Sequence, residues 1–288
     1  MRFDSYHPAV NFIYFTAVIT FALRFNHPVF LAIAYFSGFL YSVKLNGKRA
    51  LVFHAVLIPV IVFFGLIYSG YHHFGVTALA VNFIGNQITL ESFVYGLVLG
   101  ISWGSVLTWF SCVHAVVSSD KIIYLFGRIS PRLSLFLSIL LRMVPHIRER
   151  ARKINTAQRA VGRGMNQGNI LRRMKNSMRV CSALIGWTME HLIQTSDSMK
   201  CRGYTLRGRT AFSIYRFDYR DRSFVITLFF CMTVLLMGIL LDQTTIRYNP
   251  EIVLNRMTPL SGIFYAAYGL FCLLPVTVQC IGERRYPG

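Results

Sequence analysis

Residues 93–117 read FVYGLVLGISWGSVLTWFSCVHAVV, an unbroken run without Asp, Glu, Lys or Arg. It exceeds the roughly 20 residues a helix needs to cross the hydrocarbon core of a bilayer. Moving outward, Leu51 to Tyr68, Phe224 to Leu241 and Leu260 to Ile281 repeat the pattern. Two shorter runs, Val10 to Leu23 and Val29 to Val43, flank Arg24, Phe25, Asn26, His27 and Pro28, which read as a turn. They pair as two short spans, with a single re-entrant hairpin as the alternative reading. The composition agrees, because 54% hydrophobic against 14% charged residues is far from the balance of a water-soluble chain. The first run is flanked by Asp4, His7 and Pro8 and lacks a small-residue cleavage pattern, so it does not read as a signal peptide. The expected fold is all-α: a polytopic membrane protein with about six transmembrane helices.

Charge orients these spans. The segment from Ser119 to Arg222 holds 21 of the 30 Lys and Arg and six acids, a net +15 of the chain's +19. Lys44, Lys48 and Arg49 follow the second span, whereas the loop from Gly70 to Ser92 has no Lys or Arg. Positively charged loops stay on the cytoplasmic side. This places four spans in residues 1–118, a cytoplasmic region in 119–222 and two spans in 223–288 of a protein of the cytoplasmic membrane, with both termini on the cytoplasmic side. Arg247 and Arg256 in the outer loop run against the rule. Topology accounts for the basic balance, and headgroup contact adds to it, so no nucleic-acid partner is expected; the lipid bilayer is the partner the charge implies.

Metal and redox chemistry find little footing. The six cysteines include no C-x-x-C pair, and no zinc spacing joins them to the eight histidines. His72 and His73 are adjacent in an outer loop, where an interfacial role is the simpler reading. No metal or cofactor is expected.

Within the basic region, Ser130 and Pro131 mark a helix start, an N-cap followed by proline at the first helical position. The helix should kink at Pro145 and continue toward Gly162, with Ile147, Ala151, Ile154, Ala157 and Val161 opposite Arg148, Arg150, Arg152, Lys153 and Arg159. A second helix starts near Asn169 and closes at Gly203. Its stripe of Leu171, Met174, Met178, Cys181, Ile185, Met189, Leu192 and Met199 has helical spacing, and its middle is expected to pack on the first helix. Methionine also suits a surface that repacks. Gly162-Arg163-Gly164 precedes this helix and Cys201-Arg202-Gly203 closes it. Small neighbours allow close backbone approach, and a guanidinium fork pairs with a carboxylate in a partner's groove.

With the Asp4-to-Pro8 opening, the Pro131 to Pro145 stretch with its internal Arg142, and these two motifs, the chain resembles the transmembrane T component of energy-coupling factor transporters. That family includes cobalt- and vitamin-importing systems. The resemblance covers nearly the whole chain and implies a non-catalytic subunit. Its implied partners are two ATP-binding-cassette ATPases and a small membrane subunit, the S component, that captures the substrate. Each motif arginine would couple the scaffold to one ATPase. The second motif falls on Cys201-Arg202-Gly203-Tyr204, with cysteine for alanine. The first departs further: the family pattern Ala-Gln-x-Ala-Arg-Gly meets Ala157-Gln158-Arg159-Ala160-Val161-Gly162-Arg163-Gly164. Arg163 and Arg159 compete there, and Arg163 is preferred for its glycine neighbours.

The residues fit this division of labour. There is no G-x-x-x-x-G-K-[ST] phosphate loop, and the apolar cores hold no Asp or Glu of the kind an ion-coupled carrier uses. A self-sufficient permease and a multi-span membrane enzyme are the rival classes. For the enzyme, His146, Glu149 and Glu190 are the candidates, yet Glu149 sits among Arg148, Arg150 and Arg152, as in a salt-bridged surface helix.

Overall fold

The structure, a computed structural model, describes residues 3–72, 74–81, 87–204, 206, 215–246, 248 and 259–285. Arg247, Arg256 and His73 lie outside the described residues. A short 3₁₀ turn at Phe3–Ser5 leads into α1 (Pro8–Arg24), α2 (Pro28–Asn46), α3 (Lys48–Tyr71) and α4 (Leu90–Val116). Then come α5 (Ser119–Ile129), α6 (Pro131–Ala160), α7 (Ile170–Cys201), α8 (Tyr219–Leu240) and α9 (Pro259–Arg285). The all-α polytopic fold is as expected, with one small addition. Strands β1 (Ala78–Val81) and β2 (Gln87–Thr89) form an antiparallel hairpin before α4. Among the described residues, α2, α3, α4, α8 and α9 are long and apolar enough to cross a membrane, and α1 is a shorter apolar helix of 17 residues.

The chain divides into two compact units. The first comprises residues 1–118 with 215–288, the second residues 119–214. In the first, α1 and α2 begin with the same device, His7-Pro8 and His27-Pro28. Each imidazole Nδ1 accepts the backbone N–H two residues on, at 3.2 Å, and each proline occupies the first helical position, where its missing N–H costs nothing. His27 Nδ1 is therefore an acceptor, so in the neutral ring Nε2 carries the proton and donates to Tyr265 Oη at 3.0 Å.

The core of this unit is aromatic. Phe3, Tyr14, Phe25, Phe30, Tyr41, Trp109, Tyr268 and Phe271 are buried together. Trp109 Nε1 donates to the Ala34 carbonyl (3.2 Å), and Tyr14 Oη to the Cys272 carbonyl (3.2 Å), which satisfies polar atoms that burial would otherwise penalise. Asp221 ties the opening of the chain to α8. One carboxylate oxygen accepts the His7 N–H (3.1 Å) and the other the Asp218 N–H (3.0 Å). Glu91, also buried, accepts from Thr77 Oγ1 at 2.8 Å and so holds the start of the hairpin.

Glycines set how closely α3 and α4 approach. Gly96, Gly100 and Gly104 recur every four residues along one line of α4. A Cβ on Gly96 would lie 3.0 Å from the Gly65 carbonyl oxygen, one on Gly100 3.1 Å from that of Ile61, and one on Gly104 2.6 Å from Ile61 Cδ1. Between membrane helices such small-residue lines replace the hydrophobic drive that lipid removes. The opposite surface, with Val52, Val56, Phe63 and Leu66 of α3 exposed, is apolar throughout. That is the surface lipid solvates.

Candidate helix ends of the second unit

In the second unit, α5 is an amphipathic helix ahead of the helix start expected at Ser130. Its signal was available in Ile122, Ile123 and Phe126. Ser130 sits at the N-cap of α6 and Pro131 at its first position, as the sequence indicates, and the helix continues through Pro145. Asn169 occupies the N-cap of α7, although its side chain makes no capping bond.

Both long helices close in the same way. At the end of α6 the Gly162 N–H donates to the Arg159 carbonyl (3.0 Å) and the Arg163 N–H to that of Gln158 (2.8 Å). At the end of α7 the Gly203 N–H donates to Lys200 (3.0 Å) and the Tyr204 N–H to Met199 (3.2 Å). Gly162 has φ 73° and Gly203 φ 75°. These paired bonds around a left-handed glycine are the Schellman closure, and only glycine takes that conformation without a Cβ penalty. Arg163, Arg159 and Arg202 are all exposed at these ends, and so is Cys201.

The closures also fix a register. The residue just before the left-handed glycine is Arg202 in α7, at φ −81° and ψ 7°, and Val161 in α6, at φ −93° and ψ 12°. Arg163 follows its glycine, whereas Arg202 precedes it. The two arginines therefore leave their helix ends from different positions. Gly164 is the buried member of the first motif. A Cβ there would overlap Cγ of Arg159 and lie 3.2 Å from its Cβ, so the stem of Arg159 rests on the Gly164 backbone. Around it, the Gly164 carbonyl accepts from Asn176 Nδ2 (3.1 Å), its N–H donates to Gln167 Oε1 (2.9 Å), and the Met165 N–H donates to Asn155 Oδ1 (3.0 Å). Three amide side chains thus lock the turn. The sequence contained them, but nothing in their spacing singled them out.

The apolar stripe of α7 differs from its expected role. Leu171 (78% exposed), Met174, Met178 (68%), Ile185 and Met189 (59%) are open, not packed on α6. The less exposed line is Asn176, Val180, Leu184, Trp187 and His191. Along it, the Arg150 guanidinium lies 5.2 Å from the Trp187 ring centre, and Trp187 stacks on His191. The Arg150 cation of α6 is better matched by an indole face than by methionines. The enzyme candidates form no enclosed site: His146 and Glu149 are exposed on α6 and Glu190 is exposed on α7. Glu149 pairs with Lys153 at 2.7 Å, and that hydrogen bond and charge hold its carboxyl below the usual range, while Glu190 accepts from Gln194 in an exposed contact. Among the described residues no group of three His, Cys, Asp or Glu is placed to hold a metal ion.

A bundle of apolar helices, with two long helices that end in exposed arginines, defines a polytopic membrane protein. Residues 7–214 match the cobalt transport protein family, CbiQ, and the chain belongs to that family. It is 33% identical over 110 residues to the energy-coupling factor transporter transmembrane protein EcfT of Lactobacillus helveticus, 38% of each chain. It is 31% identical over 90 residues to EcfT 1 of Listeria monocytogenes (31% of this chain, 34% of that one). With EcfT of Streptococcus thermophilus the identity is 27% over 136 residues (46% and 52%). The matched stretches span about a third to a half of those relatives' lengths.

Proposed function

We propose that this protein is the transmembrane coupling component of an energy-coupling factor importer. It transmits ATP-driven motion of two ATPase subunits to a substrate-capturing S component, for uptake of a vitamin or metal ion. The observation that carries this reading is the pair of similarly closed helix ends, with exposed Arg159, Gly162 and Arg163 on one side of α7 and exposed Cys201 and Arg202, followed by Gly203, on the other. At 32 residues, α7 separates them by about 48 Å. A helix of that length supports contact with two separate partners.

In this reading the spans in residues 1–118 and 223–288 anchor the chain in the cytoplasmic membrane, and residues 119–222 lie on the cytoplasmic side with both termini. Arg202 enters a groove of one ATPase. Arg163, beside Gly162 and Gly164, meets the other, with Arg159 as the competing residue. Closure of the ATPase pair moves the two ends. The open methionine stripe of α7 supports docking of a further subunit that repacks during the cycle, and that subunit, not this chain, selects the substrate.

The test is Arg202→Ala assayed for uptake, with copurification of the ATPases at matched membrane levels. Removing one side of a desolvated charge pair costs about 2–5 kcal/mol, so uptake should be lost while the protein still inserts. Arg202→Lys should rescue only in part, because an ammonium lacks the planar fork. Wild-type uptake by Arg202→Ala would overturn the coupling role.

A further inference from the structure

In the first unit, the last turns of α2, α4 and α9 and the opening of the chain surround a cavity of about 360 Å³, within the size range of small-molecule sites. Its polar side chains come from three separated stretches: Asp4 of the 3₁₀ turn, Tyr41, Lys44 and Asn46 of α2, and Gln279 of α9. Phe3 adds an aromatic wall. Tyr41 is fully buried, and among the described residues its hydroxyl has no hydrogen-bond partner. A buried hydroxyl left in that state is costly, and a bound polar group beside it removes the cost. Asp4 lies within electrostatic reach of the same hydroxyl. From the other side the Lys44 ammonium donates to Cys280 Sγ of α9 at 3.0 Å. A thiol is a weak acceptor, and it takes one of three ammonium donors.

One cavity thus presents a carboxylate and an ammonium. The first repels a simple anion and the second a simple cation, whereas a zwitterion is attracted by both. We propose that this cavity binds a phosphoethanolamine group, with its phosphate on Lys44 and Asn46 Nδ2 and its primary ammonium between Asp4 and the Tyr41 hydroxyl. The rings of Phe3 and Tyr41 suit the same cation. A choline group fits less well, because a quaternary ammonium has no N–H to give a carboxylate or a hydroxyl. The carrier that the surroundings favour is a phospholipid. Leu40 and Phe36 lie one and two turns back from Lys44 toward the same side of α2, and they are 53% and 65% exposed. Acyl chains laid along them leave the headgroup at Lys44. On the topology reading above, that lipid belongs to the inner leaflet.

The experiment is native mass spectrometry of the full chain released into mild detergent from nanodiscs of phosphatidylethanolamine, phosphatidylcholine or phosphatidylglycerol with matched acyl chains. One phosphatidylethanolamine should stay bound, and phosphatidylcholine should wash off. Asp4→Asn and Lys44→Gln each remove a hydrogen bond to a charged group and should lower retention about tenfold. Tyr41→Phe keeps the buried ring, loses a neutral hydrogen bond and should lower it about fivefold. Lys48→Gln, at an exposed cation outside the cavity, should change nothing. Thermal melting of each variant in the nanodiscs checks that it is folded. Millimolar phosphoethanolamine added to the delipidated chain separates the sources: retained lipid that the free compound does not displace assigns the group to a phospholipid. A raised melting temperature with the free compound and no retained lipid assigns the same group to a soluble ligand. Equal retention of choline and ethanolamine lipids, preference for phosphatidylglycerol, or full retention by Asp4→Asn and Lys44→Gln overturns the inference. So does the absence of both retained lipid and stabilisation by the free compound. An inverted topology would move the lipid to the other leaflet and leave each of these results unchanged.

Discussion

Gly164→Ala tests whether the turn between α6 and α7 is built as described. The added methyl would overlap Cγ of Arg159 and lie 3.3 Å from its Cα, so the stem of that side chain must leave its position. Overpacking of this kind costs about 1–3 kcal/mol. A displaced Gly164 also disturbs its bonds to Asn176 (3.1 Å) and Gln167 (2.9 Å), each worth about 1 kcal/mol net. The expected loss is therefore about 2–4 kcal/mol, confined to the second unit. The assay is thermal unfolding of the full chain in nanodiscs, with hydrogen exchange read across residues 155–180. Two controls calibrate it. Gly162→Ala meets no atom within 4 Å but must hold φ 73°, at about 1–2 kcal/mol. Gly186→Ala, inside α7 with open space around it, should gain up to about 1 kcal/mol. Arg159→Ala added to Gly164→Ala removes the overlapping atom and should recover half or more of the loss. If Gly164→Ala melts like Gly186→Ala, or the double variant recovers nothing, the packing of Arg159 on Gly164 is refuted.

Three further outcomes are expected. Gly96→Ala presses a methyl to 3.0 Å from the Gly65 carbonyl oxygen, where no rotamer offers relief, and should cost about 1–3 kcal/mol in detergent melts. Gly262→Ala, with no neighbour within 4 Å, should cost nothing, and equal melting of the two would contradict the close α3–α4 approach. Burial holds the His27 imidazole below its ordinary pKa, so the unfolded chain binds the extra proton first. Stability from this group should be complete above about pH 6.5 and fall as the pH drops. His27→Asn keeps a capping oxygen and should flatten the melting profile between pH 8 and 5, and an unchanged slope would count against it. Finally, an impermeant thiol reagent applied to intact cells should modify a cysteine at Gly75 and spare one at Gln167. The reverse pattern would invert the membrane topology.

Much of this protein is written in local chemistry. Uncharged runs such as 93–117 must meet lipid or other apolar side chains, because water could not solvate them. Ser130-Pro131 and Gly203 mark helix ends because capping and the left-handed conformation are properties of a few adjacent residues. The capping devices His7-Pro8 and His27-Pro28 and the line of Gly96, Gly100 and Gly104 were equally local, yet they acquire meaning only when a partner N–H or a facing helix is in place. Other features had no local answer. The stripe from Leu171 to Met189 has the periodicity of a buried face, and only the tertiary contact of Trp187 with Arg150 shows that α7 turns its other side to α6. Gly162 and Gly164 bracket Arg163 alike in the sequence, and either could have closed the helix. Gly164 is held instead against the stem of Arg159, Gly162 takes the left-handed position, and that choice places Val161, not an arginine, where Arg202 stands at the other end. A helix end is chosen by residue type, but its register is chosen by packing, because only one of two equivalent glycines has room to turn.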